Sequence, residues 1–300
     1  MAVLDLDLVP ALSRAVDDGS LQLHFQPEID LASGSVVGME ALLRWAHPQR
    51  GLMWPADFLG VARATGLLDR IGRWVLQRGA AEAASWAQLP PVPGVLQRQL
   101  RLNVSAGQLA SAEFVTDVLA AVQQHRLAAG VLGLEFGQAT LTRLAASAPR
   151  QLAAVRDAGV ALAVDDVRAW RTVIAQTGDL PIDIVKLPRD AVRALGREAG
   201  GRIDGPAQRP VDGARAESGI EMQLGGGAPG PVWRSVEASV ALAHERGLLV
   251  VAEGVESWTE SAALCEIECD RAHGFLFSGP QRAERARAML ATGTGWQRPA

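Results

Sequence analysis

Residues 160–166 read VALAVDD, an apolar run long enough for one buried strand that ends on two adjacent carboxylates. Working outward, the same design recurs in DIVKL at 183–187, which closes near a lysine, and in VVAE at 250–253, which closes on a glutamate. Strand-like runs fall at 21–26, 36–43, 100–104, 131–136, 160–164, 182–187, 248–252 and 272–277. Several are continuously apolar, as parallel strands covered on both faces are. Helix-like stretches separate them, among them 67–88, 113–126, 141–158, 232–246 and 257–268. Eight strands alternating with helices predict an α/β chain folded as a (β/α)8 barrel. An open doubly wound sheet is the alternative. It would carry a glycine-rich phosphate loop after an early strand, and none is present.

The chain has 300 residues, 48% hydrophobic and 21% charged, which excludes collagen, coiled coil and wholesale disorder. A formal net charge of −4 gives no electrostatic reason to expect duplex nucleic acid. Two cysteines cannot build a disulfide framework, so a cytoplasmic location is expected. The opening MAVLDLDLVP lacks the basic region of a secretion signal. No apolar run reaches the roughly 18 residues of a membrane segment. Residues 1–20 are expected to form a lead-in helix, 21–292 the barrel and 293–300 a flexible tail. Residues 196–231 are rich in Gly, Pro and Arg without an apolar period, and read as a mobile insertion between the sixth and seventh strand units.

Of 29 basic residues, 28 are arginines, and Lys186 and Asn103 are each the sole residue of their type. The chain is rich in Ala, Gly, Arg and Val and has no tyrosine, as a G/C-biased gene would give. Under that bias, a replaceable lysine or asparagine tends to vanish, so these two mark positions where only that chemistry serves.

Ionisable residues gather at the predicted strand ends. Glu40 lies toward the end of the second strand, Asn103 ends the third and Glu135 the fourth. Asp165 and Asp166 end the fifth, Lys186 the sixth and Glu253 the seventh. In a parallel barrel these ends share one rim, where active sites sit. So many like charges share a pocket only if cations neutralise them. Oxygen ligands in that number suit Mg2+, Mn2+ or Ca2+, and no Cys or His cluster suits zinc. The Asp165-Asp166 pair suggests two ions about 3.5–4 Å apart, as in two-metal phosphodiester cleavage.

The motifs around these acids resemble the EAL domain family. Glu40-Ala41-Leu42 is the signature of its name, within EALLRW. HFQPEID from His24, ATGLLDRIGRWVL from Ala64, LNVSAGQL from Leu102, VVAEGVES from Val250 and HGFLFSGP from His273 resemble further family motifs, in order along nearly the whole chain. The resemblance implies a barrel whose first strand runs antiparallel to the rest. It implies hydrolysis of cyclic di-GMP to linear pGpG with Mg2+ or Mn2+, two ions when active, and inhibition by Ca2+. Carried over residue by residue, it implies metal ligation by Glu40, Asn103, Glu135, Asp165, Asp166 and Glu253. Catalytic roles fall to Lys186, Glu253 and Glu40, with Lys186 holding and helping to activate the attacking water. Substrate contacts fall to Gln26, Arg44, Asp166 and His273. Lysine differs from arginine here because its pKa can fall when it is buried beside metals. Cyclic di-GMP is the implied partner, and a homodimer is compatible with the resemblance.

The departures concentrate in one region. After Asp165-Asp166 the family's glycine-containing loop reads Val167-Arg168-Ala169-Trp170-Arg171-Thr172-Val173-Ile174, with Arg168 and Trp170 in place of glycines. The family's anchoring glutamate is Gln138, and the glutamine of its last motif is His273. These changes leave three readings open: a phosphodiesterase of weakened or conditional activity, a cyclic di-GMP-binding effector without turnover, and a protein-interaction module. Trp170 can stack on a guanine, fill a vacated metal position or pack under the insertion. Cys265 and Cys269 read as small buried hydrophobes, and His47 as a surface or helix residue.

Overall fold

A computed structural model describes residues 5–140, 149–168, 170, 173, 180–200 and 228–294. Its strands are β1 (Leu21–Asp30), β2 (Val36–His47), β3 (Gly51–Met53), β4 (Gln99–Asn103), β5 (Leu132–Gly137), β6 (Ala161–Asp165), β7 (Ile184–Leu187), β8 (Leu249–Ala252) and β9 (Arg271–Ala272). Going round the sheet, the order is β1-β9-β8-β7-β6-β5-β4-β2, and β1 pairs with β2 to close an eight-stranded barrel. That closure excludes the open sheet. β2 and β4 to β9 run parallel, while β1 is antiparallel to both its neighbours.

The reversed first strand has a local cause. Asp30 Oδ1 accepts from the backbone N and the hydroxyl of Ser33, both at 2.7 Å, and Gly34 follows with φ +70°. This tight turn feeds β1 directly into β2, and strands joined so closely can only pair antiparallel. The two strands also outrun the barrel. Leu21 pairs with Trp45 well beyond the last β2–β4 contact at Ala41, and β3 adds to this extension. A second core forms there from Leu8, Leu12, Leu21, Trp45, Met53, Phe58 and Ile71, using α1 (Val9–Ala15), α2 (Pro55–Ala64) and α3 (Leu68–Trp86).

Further helices among the described residues are α4 (Ala106–Ala110), α5 (Ala112–Gln124), α6 (Pro149–Asp157), α7 (Arg189–Gly200), α8 (Pro231–His244), α9 (Trp258–Glu266) and α10 (Ala283–Thr292). The main core lies between strands and helices. Leu100, Leu102, Leu132, Leu134, Leu162, Val164, Val185 and Val250 meet Leu76, Val118, Val155, Val192, Val240 and Leu264 there. Alternate strand residues face into the barrel, where Ala163, Ile184 and Val251 form a small apolar cluster. Polar and charged side chains, among them Arg101, Asn103, Glu135 and Lys186, share that interior.

Four features differ from expectation. Glu40 sits mid-strand, because β2 continues to His47 in the extension. The last barrel strand is only Arg271–Ala272, because Gly274 packs so tightly on Val255 that an added Cβ would stand 2.1 Å from its carbonyl oxygen. Helix α7 runs through Gly200, so the segment expected from Gly196 starts as a helical turn. Val192, Leu195 and Ala199 bury its apolar face, and residues 201–227 lie outside the described residues. His47 is buried at the end of β2, where Nδ1 accepts from the backbone N of Gln49 and Arg50.

Candidate active site

Strand alternation decides which side chains enter the barrel. On β4 the inward set is Gln99, Arg101 and Asn103. Register then places Glu135 beside Asn103 and Asp165 beside Gly137. Lys186 of β7 lies two residues past Ile184, which pairs with Ala163. Glu253 follows β8 directly, and His273 follows β9. Two local devices fix the neighbouring chain. Ser105 and Gln108 form a reciprocal capping box at the start of α4, just past Asn103. Ser257 and Glu260 do the same for α9, just past Glu253.

Lys186 is the hub. Its side chain is fully buried, and Nζ lies 2.6 Å from Glu135 Oε1 and 3.2 Å from Glu40 Oε2 and also contacts Glu253 Oε1. Asn103 donates from Nδ2 to Glu40 Oε1 at 2.9 Å. His273 Nε2 stands 3.4 Å from Glu253 Oε1 and 3.6 Å from Glu40 Oε2. Beneath this layer, buried Arg101 pairs with Glu28 and lies 3.6 Å from Glu135 Oε2, and Arg271 donates to Glu28 at 3.0 Å.

The charges do not balance. Glu28, Glu40, Glu135, Asp165 and Glu253 face three permanent cations, Arg101, Lys186 and Arg271. Burial pushes Glu135 up to about 8, with help from the charge of Glu40. Burial likewise pushes Asp165 up to about 6, against the pull of Lys186. Burial also opposes ionisation of Glu40 and Glu253, yet Lys186, the strongest opposing influence on both, holds them below the ordinary range. For Lys186, burial favours loss of the proton, but Glu135, Glu40, Glu253 and Asp165 outweigh it and hold the ammonium well above its usual value. Without a cation, the carboxylates therefore outweigh the burial that would lower this lysine.

Two groups of ligand atoms are close enough to hold a cation, Glu40–Glu253–His273 and Glu135–Asp165–Glu253. Glu253 belongs to both. The donor set fits divalent cations, since Glu135 and Asp165 are the carboxyls that no permanent cation fully compensates. The structure thus gathers Glu40, Asn103, Glu135, Asp165, Lys186, Glu253 and His273. Gln26 pairs across β1–β2 with Glu40 and donates to Ser278 O at 3.2 Å. Arg44 lies on the same face of β2 as Glu40, buried, with its guanidinium 3.9 Å over the Trp54 ring.

Asp166 does not join either group. It adopts φ +52°, and its half-exposed carboxylate accepts from Arg168 Nε at 2.9 Å. Arg168 also pairs with Asp190 at 2.7 Å, and its backbone N donates to Gln138 Oε1 at 2.8 Å. The amide of Gln138 thus anchors this loop by its carbonyl oxygen. Trp170 and Val173 are buried in the main core, which assigns Trp170 to packing; residues 169, 171, 172 and 174 lie outside the described residues. A cleft of about 510 Å3 opens beside the site, lined by Asp165, Asp166, Arg168, Arg189, Arg193 and Glu253 among others.

Sequence reasoning missed three residues. Glu28 and Arg101 form the charged floor, and only the alternation Gln99, Arg101, Asn103 hints that they point inward. Phe275 is 64% exposed two residues beyond His273, an unusual surface aromatic at the rim.

With this geometry in place, the comparison with known proteins is direct. The EAL domain, as a family, matches residues 10–204. The chain belongs to the EAL domain family. This EAL domain is 34% identical over 95% of its length to an uncharacterized protein of Mycobacterium tuberculosis, covering 40% of that protein. It is 32% identical over 93% of its length to the cyclic di-GMP phosphodiesterase NbdA of Pseudomonas aeruginosa, covering 31% of it. The chain therefore spans less than half the length of these curated relatives. The solved structure of the PaMucR phosphodiesterase in complex with c-di-GMP matches with a TM-score of 0.75 at 29% identity, covering 93% of this chain and 99% of that one. No helix among the described residues is long and apolar enough to cross a membrane.

Proposed function

We propose that this EAL domain hydrolyses cyclic di-GMP to linear pGpG, using Mg2+ or Mn2+. The observation that carries the reading is Lys186 held among Glu40, Glu135 and Glu253, beside two three-residue groups that share Glu253. Kinship to NbdA, named a cyclic di-GMP phosphodiesterase, and to PaMucR in its c-di-GMP complex supports the choice of substrate.

Glu40, Asn103, Glu135, Asp165 and Glu253 would hold the cations, with Asp166 reaching them only when Arg168 lets go. Divalent cations there would supply a water acidic enough to attack near neutral pH and would screen the phosphodiester charge. Lys186 would hold the water and stabilise developing negative charge by donation. Arg44 presents a planar guanidinium suited to a phosphate, and Arg168, Arg189 and Arg193 line the adjoining cleft together with Asp165, Asp166, Asp190 and Glu253. Gln26 supports the rim beside Glu40. The Arg168–Asp166 pair weakens turnover by competing for a metal ligand.

The test is conversion of cyclic di-GMP by the purified chain with Mn2+, against Lys186→Ala. Formation of pGpG that the substitution abolishes, and that Ca2+ suppresses, is the expected result. No product at high protein concentration over a range of Mn2+ would sink the reading.

A further inference from the structure

We propose that His273 is itself a metal ligand through Nε2, alongside Glu40 and Glu253, and that it biases this position toward first-row transition cations over Mg2+. The inference rests on the proposed function only in placing a divalent cation at this rim.

The ring is the unsatisfied member of the cluster. The His273 side chain is 9% exposed, and neither Nδ1 nor Nε2 makes a hydrogen bond. Buried polar atoms ordinarily find partners, and an imidazole left without one incurs its full desolvation cost. Its direction is set by rigid backbone. The His273 N donates to Ala252 O at 2.9 Å, and its carbonyl accepts from Val255 N at 3.1 Å. The next residue, Gly274, packs against Val255 so closely that no side chain fits. The ring is thus held in place by the same segment that carries Glu253.

The spacing suits a shared ion. Nε2 lies 3.4 Å from Glu253 Oε1 and 3.6 Å from Glu40 Oε2. Two ligands each about 2.1 Å from one tetrahedral ion stand about 3.4 Å apart. A neutral imidazole with two carboxylates is a mixed nitrogen and oxygen set. Such sets favour later first-row metals, whereas Mg2+ prefers oxygen alone. Of the five histidines, His273 alone enters a metal-capable group among the described residues.

The experiment loads the whole chain with one equivalent of Mn2+ and reads nitrogen couplings by pulsed electron paramagnetic resonance. Histidine coupling is expected in the wild type, confirmed by its change on 15N-histidine labelling, and lost in His273→Gln. Calorimetric titration supplies a second readout. Zn2+ affinity is expected to fall at least about tenfold in His273→Gln, with Mg2+ affinity changing less than about threefold. Absence of histidine coupling in the loaded wild type would overturn the proposal. So would tighter binding of both ions by the variant, the mark of a protonated His273 that merely repels cations. Should the variant not fold, the labelled wild type alone decides the outcome. Histidine coupling without cyclic di-GMP turnover would leave His273 a ligand while removing the phosphodiesterase reading. Turnover without the coupling would do the reverse.

Discussion

Lys186 Nζ lies 2.6 Å from Glu135 Oε1, and neither side chain reaches solvent. Glu40 and Glu253 complete the surround, so this one ammonium restrains three carboxylates. Lys186→Ala would leave buried negative charge unpaired, which typically costs about 3–5 kcal/mol. The metal-free variant is expected to melt well below the wild type, and Mn2+ to recover much of the difference. Lys186→Arg would not restore turnover, because the fork does not fit a pocket built around a compact ammonium. Melting curves with and without Mn2+, together with a turnover assay, check both expectations. Equal melting of Lys186→Ala and wild type without metal would contradict the first.

Glu135 gives the site a pH dependence whose sign follows from its surroundings. Burial lifts it from 4.5 to about 8, so in the metal-free fold it holds a proton at pH 7 that the unfolded chain has lost. Its contribution to metal-free stability is therefore full below about pH 4.5 and lost as pH rises through about 8. A cation needs the anion, so loading expels that proton and metal affinity climbs from pH 6 to 8. Calorimetry at pH 7 in buffers of different ionisation heat should report about one proton released per ion. Glu135→Gln should abolish the release; an unchanged release in that variant would assign the proton elsewhere.

Arg168 occupies Asp166 from two residues away and is itself held by Asp190. Arg168→Gly would free the carboxylate and return flexibility to the loop. Turnover is expected to rise several-fold at limiting Mn2+, with a smaller gain at saturation. Because the pair is exposed, added salt should produce part of the same gain in the wild type. Identical Mn2+ dependence in variant and wild type would mean that Arg168 does not restrain the site.

Phe275 stands exposed at the rim, its ring 3.1 Å from where a side chain at Gly279 would begin. A base stacked on such a ring typically gains about 1–3 kcal/mol. Phe275→Ala is therefore expected to raise KM for cyclic di-GMP about tenfold while leaving kcat within about twofold. A fall in kcat at constant KM would place Phe275 in support of the His273 segment instead.

The acids at strand ends were legible because period-2 alternation and parallel register leave a residue at a strand terminus little freedom. Asn103, Glu135, Asp165, Lys186 and Glu253 meet for that reason. Less legible was anything that depends on distant partners. Glu28 and Arg101 are 73 positions apart, and nothing local announces their pairing. Arg168 reads as a substituted glycine, and its grip on Asp166 and Asp190 emerges only once α7 is placed beside the loop. The last strand was overextended because Phe275, Leu276 and Phe277 look strand-like, while Gly274 turns the chain against Val255. The expected insertion begins inside helix α7 because Gly196 and Gly200 resemble loop punctuation. Val192, Leu195 and Ala199 outweigh them by burying a common face.

The reversal of β1 also sets the polarity of the whole domain. An all-parallel barrel would begin its first strand at the end remote from catalysis. Here Leu21 starts beside Trp45, so α1 and the extension stand at the catalytic mouth. The other end of the described chain is fastened to the opposite pole, where Gly293 O accepts from Val36 N at the root of β2. A fusion, tag or tether placed ahead of residue 21 is delivered to the rim that carries Arg44 and Glu253, while one placed after residue 293 hangs from the far side. Force or occupancy applied at the first position reaches Glu40 and Arg44 along two paired strands. The same load at the second must cross the length of the barrel.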